Sequence, residues 1–386
     1  MPEADGGRLA SIDHPGATPG RMPLRVLVVN FTLDTASPVL PWQAAVANAI
    51  ARRVTSVHVL TEWLGVFEPE PNLTFVSMPH RPYGVPRPLG GLWLMLPKLI
   101  SAIERFRPDV CFVHMAHEWC YRLGPYLRVR GIPVLLWYAH GSVPWKLHLS
   151  SAVASRIVTS TPEGFRIATP KRRIIGQAID TEVFRIPATR RPGLEVVTVG
   201  RVSRRKNIAL LIDAMARVVA HPGLERTRLT IVGPELTDDD RTYRRELDAQ
   251  IAGLGLSDRV TITGGVEQAA TAALYETAAL HVNVSRTGSM DKTVMEALAC
   301  GCPVLTSNEA FATELAEFPA MLMPDPTPET LAGRIGEWLD GTHHADPGTL
   351  RARIVGRHDL DGYADRIVTE LSDLAPAPRR PFGPAR

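Results

Sequence analysis

The sequence has few cysteines, few aromatic residues and no surplus of either charge. Four cysteines in 386 residues, Cys111, Cys120, Cys300 and Cys302, are too few for a disulfide framework, and none stands in a Cys-x-x-Cys pair. A reducing, cytoplasmic compartment is expected. Long apolar runs are missing too: the most apolar segment, Leu89 to Ile103, is broken by Pro97 and Lys98 and is too short to cross a bilayer. The opening residues MPEADGGRLASIDHPGATPGRMP carry acids, prolines and glycines where a signal peptide needs a basic start and an apolar stretch, so no export is expected. Lysines and arginines number 43 against 40 acids, and Arg379, Arg380 and Arg386 sit in a proline-rich tail without acids. Without that tail the charges balance, whereas a nucleic-acid binder concentrates bases on one face, so no nucleic-acid partner is expected.

What is present is the composition of a folded protein, with 45% hydrophobic residues, and a length that predicts two domains, each with its own core. From Arg25 onward, short β-branched runs alternate with longer amphipathic ones, the pattern of βαβ units and parallel sheets. RVLVVNF, SVHVLTEW, LTFVSMP, DVCFVHM, PVLLWYAHG and RIVTST read as strands, with PWQAAVANAIARR and LWLMLPKLISAIERF as helices between them. After the proline-bearing stretch 186–193 a second series follows: strands LEVVTVG, RLTIVG, RVTITGG, LHVNVS and PVLTS, and helices IALLIDAMARVVA, TYRRELDAQIAGLG, AATAALYETAA and KTVMEALACG. The expected class is α/β, with two doubly wound, Rossmann-like domains over residues 23–185 and 194–355, and disordered tails at 1–22 and 375–386. Ligands of such sheets sit beyond the carboxyl ends of the strands, so two facing domains place a cleft between those loops.

Two of the loops carry chemistry. Gly200 permits a sharp turn at the end of LEVVTVG, and Arg201 and Lys206 set two cations beside a helix start expected near Asn207, an anion site suited to a diphosphate. The plainer reading is a solvated basic loop. The second runs from Ser285 through Thr287, Gly288, Ser289, Met290, Asp291 and Lys292 to Glu296, in a helix closed by Gly301. Thr287, Gly288 and Ser289 can offer amides and hydroxyls to an anion or a sugar. Glu296 lies four residues after Lys292 and seven after Ser289, on one helical face, where a carboxylate can accept from ribose hydroxyls. An exposed ion pair between Lys292 and Glu296 is the alternative, but Ala297 to Leu305 reads as buried. Asp291 either caps this helix or takes a sugar hydroxyl.

In the first domain Asp34, His114, His117, Glu118 and His140 fall at or just after strand ends, where an acceptor hydroxyl can meet them. His114 is expected to be structural. His114-x-x-His117-Glu118 is not the zincin order, and no metal site is expected.

These residues carry a resemblance. Gly200-Arg201 with Lys206, Leu229 to Gly233, Val260 to Gly264, Leu274-Tyr275 with Ala278, and Glu296-Ala-Leu-Ala-Cys-Gly-Cys-Pro-Val look like the carboxyl-terminal half of family-four glycosyltransferases with the GT-B fold, over roughly residues 195 to 315. Ile179-Asp180 with Phe184 resembles the family's linker, and Asp359 to Tyr363 the start of a helix, expected over 356–374, that crosses back to the first domain. The resemblance implies a retaining transfer from a nucleoside diphosphate sugar to a small-molecule, lipid-linked or glycan acceptor, with no metal or other cofactor, and the high Ala, Arg and Pro content, that of a GC-rich bacterial source, points to bacterial glycan or metabolite biosynthesis. Arg201 and Lys206 would hold the diphosphate, Glu296 the ribose, Val266 would lie near the base, and Thr287 to Asp291 with Lys292 would surround the sugar. His140 would approach the reacting carbon, and Asp34, His117 and Glu118 would meet the acceptor. The sequence departs from the family at Gly288, where the first of two glutamates is usual, in a Thr-Gly-Ser-Met-Asp-Lys arrangement. It departs also after the first strand and at Gly176-Gln-Ala. Rival readings are an epimerase or inverting transferase with His140 or Glu118 as base, and a silent sugar-nucleotide binder. Arg81, Arg87 and Lys98 around LWLMLPK also suggest weak peripheral membrane contact, against an ordinary helix packed on the sheet.

Overall fold

The computed structural model describes residues 20–37, 40–78, 89–189, 193–285 and 289–376, with the backbone alone for 89–94. The first sheet contains β1 (Met22–Leu33), β2 (Val54–Leu64), β3 (Leu73–Ser77), β4 (Val110–His114), β5 (Val134–Trp137), β6 (Arg156–Thr159) and β7 (Arg172–Ile174), in the order β3-β2-β1-β4-β5-β6-β7. All its pairings are parallel. Helices α1 (Trp42–Ala51), α2 (Leu89–Phe106), α3 (His117–Val129) and α4 (Trp145–Val153) connect them. Because side chains alternate along a strand, β1 feeds two cores. Val26 and Val28 pack with Val46 and Ile50 of α1, while Leu27 and Val29 pack with Leu99, Ile103, Leu123 and Leu127 of α2 and α3.

The second sheet repeats the plan with β8 (Glu195–Val199), β9 (Arg228–Val232), β10 (Val260–Gly264), β11 (Leu280–Asn283) and β12 (Val304–Thr306), ordered β10-β9-β8-β11-β12 and again parallel. Its helices are α5 (Ile208–Val219), α6 (Asp238–Gly253), α7 (Gln268–Thr277), α8 (Lys292–Ala299), α9 (Pro328–Leu339) and α10 (Pro347–Ala352). Val196 faces Leu211, Ile212 and Met215 of α5, and Val197 faces Val294, Met295 and Leu298 of α8. In each sheet the winding reverses beside the first strand, between β1 and β4 and between β8 and β11, and the loops leaving those strands open a crevice there.

The last helix, α11 (Leu360–Leu374), returns to the first domain. Tyr363, Ile367, Val368 and Leu371 complete the core that holds Val26 and Val28. Arg53 bonds Asp361 and Asp365, and Arg156 bonds Glu370, which fix the helix along its length.

Several features depart from the sequence reading, which places no helix at α3, α4, α9 or α10. In the fold Gly124 is where α3 meets α4: a Cβ there would lie 2.0 Å from Val153 Cγ1. Helix α6 starts four residues before the expected Thr242, because Thr237 and Asp240 form a capping box. Strand β7 was also unread. Of the expected disordered tails, residues 1–19 and 377–386 lie outside the described residues, and Met22 already opens β1. Arg81 and Arg87, part of the suggested membrane patch, also lie outside. Among the described residues no helix is long and apolar enough to cross a membrane.

Candidate functional site

The loop leaving β8 is shaped by a close approach of backbones. Gly200 has φ +143° and Gly233, at the end of β9, has φ +153°, in the region that favours glycine. A Cβ on Gly233 would lie 1.9 Å from the Gly200 carbonyl oxygen, and one on Gly200 would lie 3.2 Å from Lys206 Cε. The Lys206 side chain therefore folds back over Gly200. The helix start expected near Asn207 is preceded by a single 3-10 turn, Arg204–Lys206, after which left-handed Asn207 leads into α5. Arg201 Nε lies 3.7 Å from Asp240, the capping carboxylate of α6.

Across the switch point, the loop leaving β11 supplies Asp291 at the start of α8. Its side chain makes no capping bond, which removes the cap reading. Instead Lys206 Nζ donates to Oδ1 at 2.8 Å and Asn283 Nδ2 to Oδ2 at 3.0 Å. Burial alone would raise the Asp291 carboxyl, but the Lys206 charge and the bonds from Lys206, Asn283 and Ser285 outweigh it and hold it below the usual range. Met290, expected at the donor, turns its side chain into the core beside Val294 and Met295, because it is the apolar residue nearest the buried helix. The Ser289 carbonyl accepts from Asn308 Nδ2 at 2.6 Å. Thr287 and Gly288 lie outside the described residues.

Between the domains is a cavity of about 160 Å³, lined by Ser37, Pro41 and Trp42 from the first and by Gly200, Arg201, Gly233, Val266, Lys292 and Glu296 from the second. Helix α8 is buried, and Glu296 is 9% exposed, so an exposed ion pair is excluded. Burial pushes the Glu296 carboxyl up, with Lys292 opposing, and pushes the Lys292 ammonium down. Lys292 reaches out of its own domain. Its Nζ donates to the Ala178 carbonyl and lies 4.0 Å from the centroid of the Trp42 ring, a cation–π contact. Trp42 is 7% exposed and packs edge-on against His114 and Trp137. His114 is a core residue, pushed down to about 3 by burial and then by Lys292.

His140 is exposed at the first domain's rim. Its Nδ1 accepts from the Ser142 backbone N–H at 3.1 Å and lies 2.8 Å from Ser142 Oγ. An amide can only donate, so the neutral ring carries its proton on Nε2. Although the residue's edge is exposed, the ring is partly shielded from water by its surroundings, and this desolvation, then Arg205 and Arg201 across the cleft, lower its pKa, with Asp291 opposing. Glu118 is paired with Arg122 at 2.6 Å and Lys146 at 3.4 Å. Burial would raise its carboxyl, but these two cations outweigh it and hold it below the usual range, so it is not a free acceptor contact. Asp34 Oδ1 accepts from the amide of Ala36 in its own turn at 3.0 Å and from that of Val66 in the loop after β2 at 3.1 Å. His117 is half-buried, edge-on to Tyr138.

Sequence reasoning missed Trp42, Arg205, Asn283 and Asp240. Asp240 had a signal, the Thr-x-x-Asp spacing of a capping box. Trp42 follows the switch-point strand β1, and position alone could have marked it. Among the described residues no three His, Cys, Asp or Glu side chains form a group that could hold a metal ion.

Residues 193–341 match the family model described as glycosyl transferases group 1. The chain is 24% identical over 247 residues to the alpha-monoglucosyldiacylglycerol synthase of Streptococcus pneumoniae, covering 57% of this chain and 53% of that protein. It is 30% identical over 224 residues to the D-inositol 3-phosphate glycosyltransferase of Acidothermus cellulolyticus, covering 53% and 48%. The chain thus spans about half the length of these curated relatives. Among solved structures, sucrose-phosphate synthase from Thermosynechococcus elongatus superposes with a TM-score of 0.72 at 19% identity, covering 91% of this chain and 99% of that one. Anabaena HepE in complex with UDP-glucose superposes at 0.71 and 17%, covering 91% and 100%. The chain therefore has the GT-B fold, and its second domain carries the match to the glycosyl transferases group 1 family.

Proposed function

We propose that this protein transfers a sugar from a nucleoside diphosphate sugar to an acceptor hydroxyl or amine, with retention and without a metal. The observation that carries the reading is the interdomain cavity, where Arg201, Val266 and Glu296 meet at the switch point of the second sheet. Arg201 and Lys206 suit a diphosphate, the Glu296 carboxyl suits the ribose, and Val266 offers an apolar edge to the base. Positioned cations stabilise the charge that develops on a departing diphosphate, and they need no rearrangement to do so.

His140 supports retention over the rival inverting reading. With Nδ1 occupied by the Ser142 amide, the neutral imidazole presents Nε2–H, which donates to a substrate oxygen and cannot take a proton there. Glu118 is held by two cations and is a weak base. Neither proposed base is free, so the acceptor's proton goes to the leaving phosphate oxygen on the same face. Some relatives are named for a glycosylated lipid or a sugar phosphate as product, and an acceptor of either kind enters from the first domain's side.

The test is calorimetric titration with UDP, GDP, ADP and dTDP, followed by proton NMR of the products formed from the matching nucleotide sugar. Binding of one diphosphate and an axial-to-axial or equatorial-to-equatorial outcome at the anomeric carbon are expected. No affinity for any of the four would overturn the reading, and an inverted product would overturn retention alone.

A further inference from the structure

Asp291 stands at the start of α8, next to but outside the lining of the interdomain cavity, with nothing in the proposed reaction to do directly. It makes no cap bond. Its side chain is only 13% exposed, and both of its oxygens are engaged by donors of this chain, Lys206 on one and Asn283 on the other. A sugar hydroxyl would have to displace one of these. Lys206, in turn, is bounded on each side. Its aliphatic stem lies against Gly200, where any Cβ would touch it, and its ammonium ends on Asp291. The two residues leave different strands, β8 and β11, on the two sides of the switch point.

We propose that Asp291 is the positioning residue of Lys206: the carboxylate, itself fixed by Asn283, holds the ammonium where the donor's diphosphate meets it, and makes no contact with the sugar. The proposal rests on the reading of this cleft as a nucleoside diphosphate site. An ammonium has three N–H groups. One is committed to Asp291, and the direction of that bond sets where the other two point. Without the carboxylate the four-carbon stem regains its rotamers, and part of the binding energy goes into reordering it. Asn283 does for Asp291 what Asp291 does for Lys206.

The sign of the effect separates this from a simple charge pair. Removing an anion from beside an anion site tightens anion binding by Coulomb's law. A loss of affinity on removing the Asp291 charge therefore comes from lost placement of the lysine.

The experiment is a double-mutant cycle on wild type, Asp291→Asn, Lys206→Met and the double variant. It reads the affinity for whichever of UDP, GDP, ADP and dTDP wild type binds best, together with kcat and KM for the matching nucleotide sugar and Tm. Asp291→Asn is expected to weaken diphosphate binding about tenfold, the coupling usual for residues in one ion-pair network, and to lower kcat. In the Lys206→Met background the same change is expected to cost no affinity, leaving it unchanged or tightened by the lost repulsion, and to raise Tm, since it neutralises a buried carboxylate left without its cation. Asn283→Ser, should Asp291→Asn fold poorly, is expected to act in the same direction and also to lose its effect without Lys206. Tighter or unchanged binding by Asp291→Asn overturns the proposal, as does an equal loss in both backgrounds. A loss seen with the nucleotide sugar but not with the diphosphate overturns it in favour of a sugar contact. If wild type binds none of the four diphosphates, the reading of the cleft itself fails.

Discussion

His140 shows how one backbone amide assigns a proton. Because Ser142 N–H donates to Nδ1, charging the ring means placing a proton where that amide already points; loss of water around the ring disfavours the charge first, and Arg205 and Arg201 add repulsion from across the cleft. The imidazole is expected to titrate below the usual 6.5 in an NMR titration assigned with His140→Gln. Arg205→Gln should move it upward, since a cation that disfavours the charged form is gone. The unfolded chain binds the proton more readily than the folded one, so this group lowers stability as pH falls through the ordinary histidine range. A titration at or above 6.5 in wild type would overturn the lowering, and an unchanged value in Arg205→Gln would show that the cleft cation does not reach the ring.

At the scale of elements, the strand ends of the second sheet are set by glycines that have different jobs. Gly233 lets the end of β9 touch the Gly200 carbonyl, whereas Gly200 makes room for a flexible lysine. Gly233→Ala forces backbone against backbone at an unfavourable φ and is expected to cost at least about 1–3 kcal/mol. Gly200→Ala shares the φ strain but meets only a side chain that can yield, so its main effect should fall on diphosphate affinity through Lys206. Urea unfolding and UDP titration of both variants check the contrast. Equal losses of stability and of affinity in the two would mean that the loops behave as one unit. Helix α8 belongs to the same scale: its burial makes Glu296 a cleft residue and not half of a surface pair.

In the whole molecule, the ties that join the halves among the described residues include a helix and a lysine. Helix α11 carries the end of the chain back to the first core, and Lys292 crosses the cleft from α8 to the Ala178 carbonyl and the Trp42 ring. Lys292→Met keeps the length and removes the charge, so it is expected to lower stability by about 1.5–3 kcal/mol, the range for a hydrogen bond to a charged group. Differential scanning calorimetry should then show the two domains melting over a wider interval than in wild type. A variant with wild-type stability and a single sharp transition would show that the tie carries no load.

The sequence by itself determined the two parallel sheets, the buried α8, and the turn at Gly200. Those features follow from local periodicity and from glycine, and the rule that ligands meet strand carboxyl ends needs no knowledge of contacts. Only the tertiary structure decided what the polar residues do. Asp291 pairs with a lysine 85 residues away, and Glu118 is taken by Arg122 and Lys146. Asp34 accepts from the amide of Val66, 32 residues away, and Trp42 receives a cation from the other domain. Such assignments depend on strand order and domain approach, which bring together side chains that nothing in the spacing of the sequence connects.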